Sequence, residues 1–243
     1  MAFLTTEVVT LFDGPPGTSV HANSLGAGQK VFKGSFPMLV NGVVYRGGAV
    51  PSAGLLAVAG ADANGGLNVF SHQPNVRYSQ ITGGANKTLG VSVVFAASTI
   101  DIIVQLATDG GGASTSTAAI VMNAVLTHAL AAKYLQLNYT GNGTGLAAAF
   151  AAALVPVVNL IGISTNTYDN SAGVAALSIP MVMQRGTIAV APLASDPPTA
   201  AMIGSKVAFA DDITVKATVG PLDLSVTLSD ILPDGTVFVS TNL

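Results

Sequence analysis

The sequence predicts a mainly β protein with an α+β part, in which both chain ends form a β-barrel or β-sandwich. Short apolar runs separated by Gly, Pro, Asn and Asp fill residues 1–75 and 176–243, a pattern typical of short strands joined by turns. The middle of the chain combines strand patterns with one helical pattern. We therefore predict a β-barrel or sandwich domain from residues 1–75 and 176–243, with an inserted α+β domain from residues 76–175.

Alternation of apolar and polar residues predicts the clearest strands. It runs through Ile100 to Leu106 and through Leu222 to Leu228, as expected for strands with one face on a core. Asn41-Gly42 and Asp234-Gly235 each lie between apolar runs, and such dipeptides favour hairpin turns. Val91 to Phe95 precedes Ile100 with four residues between them, which predicts a further hairpin.

One stretch has the spacing of an amphipathic helix. It runs from Ala118 to about Lys133, and Thr117 can cap its first turn. Leu135 to Tyr139 then alternates as a strand, and a turn is expected at residues 141–145. Residues 88–140 are therefore predicted to fold as strand, strand, helix, strand.

The apolar stretch from Gly145 to Ile163 has about the length of a membrane span. Its first half is Ala and Gly, Pro156 and Asn159 interrupt it, and it lacks charged or aromatic anchors at its ends. A buried helix leading into a buried strand explains the pattern equally well, so we expect no membrane contact.

Charge is scarce throughout the chain. Asp, Glu, Lys and Arg make up 9% of the 243 residues, where a soluble domain usually has about 25%. A surface with few ions is easily desolvated, which favours extensive contact with other protein subunits; the alternative is a weakly charged monomer. The net charge of -3 argues against nucleic acid as a partner. The first ten residues lack the features of a signal peptide, so we expect a cytosolic origin.

The residue types needed for catalysis are poorly represented. No two of His21, His72 and His128 are three to five residues apart, and there is no cysteine, so a metal site is not expected. Asp211-Asp212 lacks the pattern of a calcium loop, and a turn before a strand explains it better. The glycines at 110–112 are not part of a phosphate-binding motif. We therefore expect no enzymatic activity, no cofactor and no small-molecule substrate.

Two parts of the chain resemble virion proteins of tailed bacteriophages. Val91 to Ala149, with Ile100 to Asp109 followed by Ser116 to Ala119 and the helix, resembles a strand-strand-helix-strand module of phage tail, neck and head proteins. The segments 185–190, 203–207 and 235–239 are similar to the strands of small β-barrel decoration proteins that cement phage capsids. The resemblance implies a virion component that is assembled in the host cytoplasm and has no catalytic residues.

The leading hypothesis is therefore a capsid decoration or cement protein that contacts the major capsid protein and neighbouring copies of itself. A phage tail-tube, sheath or neck subunit is the alternative within the same class. A surface adhesive or carbohydrate-binding module is an alternative of another class, but the chain has no Trp and only 6% aromatic residues. Apolar residues in loops or at edges are the candidate contacts, although each could instead belong to the core: Phe3, Leu4, Phe12, Phe32, Phe36, Phe70 and Tyr78.

Overall fold

The structure, a computed structural model, describes residues 12–13, 19–47, 50–160, 162–220 and 223–241. It is mainly β, with 44% of residues in strands and 9% in helices, and it includes a closed five-stranded barrel, which confirms the predicted fold class. The strands and the α-helix are β1 (Phe12–Asp13), β2 (Ser19–Leu25), β3 (Gln29–Val31), β4 (Met38–Val40), β5 (Val43–Tyr45), β6 (Leu56–Val58), β7 (Leu67–Ser71), β8 (Val76–Ile81), β9 (Gly90–Phe95), β10 (Ile100–Gln105), α1 (Ala118–Thr127), β11 (Leu135–Tyr139), β12 (Phe150–Leu154), β13 (Val158–Leu160), β14 (Ile163–Ser164), β15 (Tyr168–Asn170), β16 (Leu177–Gln184), β17 (Thr187–Pro192), β18 (Lys206–Phe209), β19 (Thr214–Lys216), β20 (Ser225–Ile231) and β21 (Val237–Ser240).

The chain divides into two compact units. Unit 1 comprises Met1–Val50 and Val158–Leu243, and unit 2 comprises Pro51–Val157. These boundaries differ from the predicted ones near residues 75 and 176. The first differs because β6 pairs with β7 and β7 pairs with β11. The second differs because β13 pairs with β4, β15 with β3 and β16 with β2. The unit boundaries therefore depend on pairing between strands that are distant in sequence.

The five-stranded barrel lies in the C-terminal part of unit 1. Its strand order is β17-β19-β18-β20-β21, and β21 pairs again with β17 to close it, while β1 pairs with β17. Alternate side chains point inward, so Ile188, Val226 and Val239 are fully buried. The Asp234-Gly235 turn joins β20 to β21 through a longer loop than a two-residue hairpin, because residues 232–236 lie between the strands and Gly235 has a φ of 87°.

A second sheet of unit 1 has the order β13-β4-β5-β2-β16-β14, and β15 pairs with β3 beside it. The predicted hairpin at Asn41-Gly42 is confirmed. The two residues directly join β4 to β5, and their φ angles are 47° and 85°. Such a two-residue turn requires positive φ at both positions, which Asn and Gly tolerate best.

Unit 2 contains a four-stranded sheet of order β12-β8-β10-β9 and a three-stranded sheet of order β11-β7-β6. The predicted β9–β10 hairpin is confirmed, and so is the predicted order of strand, strand, helix and strand. Tyr78, Ile102, Val121 and Leu137, from β8, β10, α1 and β11, belong to one buried cluster. The helix and both sheets therefore share a single core.

The helix α1 begins where predicted and ends earlier. Thr117 caps it, since its side-chain oxygen accepts a hydrogen bond from the Ile120 N–H at 3.4 Å. It ends at Thr127 and not near Lys133, because His128 has an extended conformation. The His128 ring nitrogen Nδ1 then accepts a hydrogen bond from the Ala131 N–H at 3.2 Å, and residues 131–133 form a single 3-10 turn.

The alanine-rich segment before Ile163 forms strands and not the predicted buried helix. Phe150 to Leu154 is β12, which pairs antiparallel with β8, and β13 follows at Val158. Pairing with β8 satisfies the backbone and outweighs the helix preference of alanine. Among the described residues, no helix is long and apolar enough to span a membrane.

A charge pair in unit 1 joins the segment after β5 to the turn before β19. The Arg46 Nε and Nη2 atoms donate to Oδ2 of Asp212 at 3.3 and 3.0 Å, and the Asp212 side chain is fully buried. The neighbouring Asp211 accepts hydrogen bonds from the N–H groups of Ile213 and Thr214. Asp211-Asp212 therefore forms the turn predicted from the sequence, and the Asp212 carboxylate is bound by the Arg46 guanidinium.

The alternation in β10 predicts unequal effects of two adjacent substitutions. Ile102 is fully buried, whereas Ile103 points to the opposite face and is partly exposed. Ile102→Ala is expected to lower the free energy of unfolding by about 3–4 kcal/mol, because a cavity is left in the core. The matched Ile103→Ala is expected to lower it by about 1 kcal/mol or less. Urea unfolding followed by circular dichroism measures both, and equal losses would contradict the assignment of faces.

Arg46→Met is expected to lower the free energy of unfolding by about 2–3 kcal/mol, since the Asp212 carboxylate loses its charged partner. Lys30→Met is the matched control, because Lys30 pairs with Asp169 at 2.7 Å at a more exposed position. Water screens that pair, so its loss is expected to have a much smaller effect. The same unfolding assay compares the two variants, and an equal or larger loss for Lys30→Met would contradict the structural role of the Arg46–Asp212 pair.

Candidate interaction surface

The apolar residues predicted as surface contacts lie in several environments. Phe3 and Leu4 lie outside the described residues, and Phe12 is in β1, paired with Ile188 of β17. Phe32 is partly buried, and its ring centroid lies 5.2 Å from Nζ of Lys30.

The exposure predicted for Phe36, Phe70 and Tyr78 is wrong. Their exposed fractions are 1%, 0% and 0%, because each side chain completes the core of its own unit. The Phe36 ring packs on that of Phe209 with centroids 4.7 Å apart. These three side chains are therefore not available at the surface of the folded chain.

Three exposed aliphatic side chains share one face of the four-stranded sheet of unit 2. The face opposite the core contains Leu154 on β12, Ile81 on β8 and Val94 on β9, which are 62%, 44% and 47% exposed. Val94 and Leu154 are on the two outermost strands of this sheet. Each margin of the outer face therefore has an exposed aliphatic side chain.

The centre of this outer face is occupied by an ion pair. The Arg77 Nε and Nη2 atoms donate to the two carboxylate oxygens of Asp101, each at 2.7 Å. The guanidinium holds the pKa of Asp101 below its usual value through these hydrogen bonds. Because the two charges neutralise each other in a two-pronged contact, they leave no net charge on the face.

Unit 2 as a whole has a neutral and sparsely charged surface. Three acidic and three basic residues occur in it, with no net charge when His is neutral: Asp62, Arg77, Lys87, Asp101, Asp109 and Lys133. The carboxylates of Asp62 and Asp109 accept hydrogen bonds from backbone N–H groups of their own unit. Most of these charges therefore serve the fold, and a partner can cover the surface with little loss of ion hydration.

A loop between β15 and β16 forms a smaller apolar surface in unit 1. Residues 171–176 have no charge, and Val174 is fully exposed. The base of the loop is fixed, because the side-chain amide of Asn170 donates to the carbonyl oxygens of Leu25, Gly26 and Ala175. Val174 is therefore exposed at the end of a loop whose base is fixed by the hydrogen bonds of Asn170.

Within the described ranges, no group of three or more His, Asp or Glu side chains is arranged to hold a metal ion. An open surface depression adjoins β8 and β12, and its lining includes Ile81, Phe150 and Ala151.

The chain matches no protein-family model, no curated protein and no solved structure.

The predicted contact residues, most of them aromatic, do not include the exposed Val94 and Leu154. The signal for Val94 is local: Val91 to Phe95 contains apolar residues at both odd and even positions, so one of them must face away from the core. The signal for Leu154 is weaker, because the surrounding alanines fit a helix as well as a strand. Its exposure depends on pairing with β8, which lies about seventy residues earlier.

Burial of Tyr78 predicts a dependence of stability on alkaline pH. Burial raises the pKa of Tyr78 above its ordinary value, although Gln80 Nε2 donates to its hydroxyl at 2.8 Å. The unfolded chain releases this proton near pH ~10 while the folded chain retains it. The stability that the protonated Tyr78 contributes is therefore fully present below pH ~10. Above that pH the free energy of unfolding falls by ~1.4 kcal/mol per pH unit.

Urea unfolding at a series of pH values on either side of this point measures the slope. Tyr78→Phe is expected to remove a one-proton component of it, whereas Tyr139→Phe, at a partly exposed position, is expected to retain that component. An unchanged slope in Tyr78→Phe would contradict the prediction.

Proposed function

We propose that this chain is a structural subunit of a bacteriophage virion, a decoration or cement protein that stabilises the head through repeated contacts. The observation that carries the proposal is the neutral surface of unit 2, with aliphatic side chains exposed at both margins of its sheet. Its partners are the major capsid protein and neighbouring copies. The virion is its location, and no catalytic step, cofactor or nucleic acid is part of this role.

The small number of charged side chains supports this proposal. Many weak apolar contacts repeated by symmetry give a high total affinity without a deep pocket or a charged anchor. Four ion pairs occur within the described residues, and in each of them both charged side chains bind within the chain itself. These pairs are Lys30–Asp169, Arg46–Asp212, Arg77–Asp101 and Lys216–Asp223. The barrel and the resemblance of residues 185–190, 203–207 and 235–239 to capsid decoration proteins favour the head over the tail.

Electron microscopy of native particles from the source of the chain tests this proposal. Particles labelled with an antibody against the chain are expected to show it at regular positions on the head, and mass spectrometry of the purified particles should detect it. Density in stacked rings of a tail would replace the decoration role with that of a tail subunit. Absence of the chain from purified particles would overturn both.

A further inference from the structure

The four-stranded sheet of unit 2 has two open edges. Its order is β12-β8-β10-β9, and no described strand pairs with the outer side of β9 or of β12. Ala96 donates to the carbonyl of Thr99 to close the β9–β10 hairpin. Hydrogen-bonding positions alternate along an antiparallel pair, so the backbone groups of Val91, Val93 and Phe95 point to the open edge.

Both edge strands lack the residues that usually prevent strand addition. β9 has the sequence Gly-Val-Ser-Val-Val-Phe and β12 the sequence Phe-Ala-Ala-Ala-Leu, with no charge and no proline in either. Natural edge strands are commonly protected by Lys, Pro or a bulge. β9 pairs with β10 without a shift, whereas β12 has a register shift between Phe150 and Ala153, so its regular pairing with β8 is at Ala153 and Leu154.

A row of side chains crosses the outer face and connects the two edges. Leu154 is opposite Arg77, Arg77 is opposite Asp101, and Asp101 is opposite Val94. The charges are therefore paired within the row, and each end of the row is an exposed aliphatic side chain. When one such sheet is placed beside another with these rows aligned, Val94 of the first adjoins Leu154 of the second, and the junction itself joins two apolar side chains.

We propose that a second copy of this chain occupies the open edge, with β9 of one copy pairing with β12 of the next. This inference rests on the proposed structural function and specifies the contact between copies. Since unit 2 has no net charge, repeated copies meet without electrostatic repulsion between these units.

The strand directions determine the form of the contact. β8 and β10 are parallel to each other, and each is antiparallel to its outer neighbour. β9 and β12 therefore run in the same direction, and a continuous sheet pairs them in parallel. The contact joins two different edges, so it is head-to-tail and repeats to give a ring or a filament.

Two substitutions at opposite edges test the contact in the full chain. Val94→Lys and Leu154→Glu each place a charge at one end of the row, and each is expected to weaken self-association about tenfold or more. An equimolar mixture of the two is expected to regain assembly. One junction in the mixture is unaltered, and the other brings the new Lys beside the new Glu.

Sedimentation velocity across micromolar concentrations measures association, and circular dichroism verifies that each variant unfolds at the wild-type temperature. If a charged variant is less stable, Val94→Thr or Leu154→Thr replaces it, because Thr suits a strand and still removes the aliphatic contact. Ile120→Lys is the matched control, since Ile120 lies on the helix α1 of the same unit and is 53% exposed. It is expected to associate like the wild type.

Several outcomes would overturn the head-to-tail contact. They are a wild-type chain that stays monomeric, association abolished by only one of the two edge variants, a mixture that stays dissociated, or association lost in Ile120→Lys. Loss at one edge alone would indicate a two-fold contact between like strands. A monomeric chain that is nevertheless found on native particles would refute this contact and leave the proposed function intact.

Discussion

Hydrogen bonding along strand edges is the constraint on which the rest of this structure depends. The chain has no cysteine for disulfides and few charges, so backbone pairing and apolar packing hold its strands. In the C-terminal part, β17 pairs with both β19 and β21, and the closed barrel leaves no edge among its five strands. The four-stranded sheet of unit 2 does not close, and its outer strands β9 and β12 retain unpaired sides. The same requirement is therefore met internally in the barrel, whereas among the described strands no partner covers the outer sides of β9 and β12.

The scarce charges follow from the same organisation. Where a charged side chain occurs, it commonly fixes one chain segment to another, as Arg46 does with Asp212 and Arg77 with Asp101. Asp62 similarly accepts a hydrogen bond from the Leu146 N–H across the glycine-rich loops of unit 2. Side chains used in this way contribute little to a hydrated outer layer. Exposed aliphatic residues then make up part of the outer surface, and their burial against protein is favourable.

Local interactions could be predicted from the sequence, whereas distant strand pairing could not. Asn41-Gly42 and Thr117 determine a turn and a helix start within a few residues, and both predictions are confirmed. The unit boundaries depend on β7 pairing with β11 and on β2 pairing with β16, and no local pattern specifies those partners.

The same limit applies to the surface. Phe36, Phe70 and Tyr78 were predicted at exposed positions because short β-like runs do not reveal which face meets the core. Val94 has a local signal, since apolar residues occupy both faces of its strand. Leu154 does not, because its surroundings favour a helix until β8 is available as a partner.

The distribution of net charge between the units bears on how copies could assemble. The whole chain has a net charge of -3, and unit 2 contributes none of it, so the excess acidic residues belong to unit 1. Charge repeated at every copy opposes close contact between like surfaces, and this opposition grows as copies accumulate. A neutral unit with open strand edges avoids that opposition, while a net negative unit favours solubility. The proposed contact between copies uses the neutral unit 2, so it needs no counter-charge.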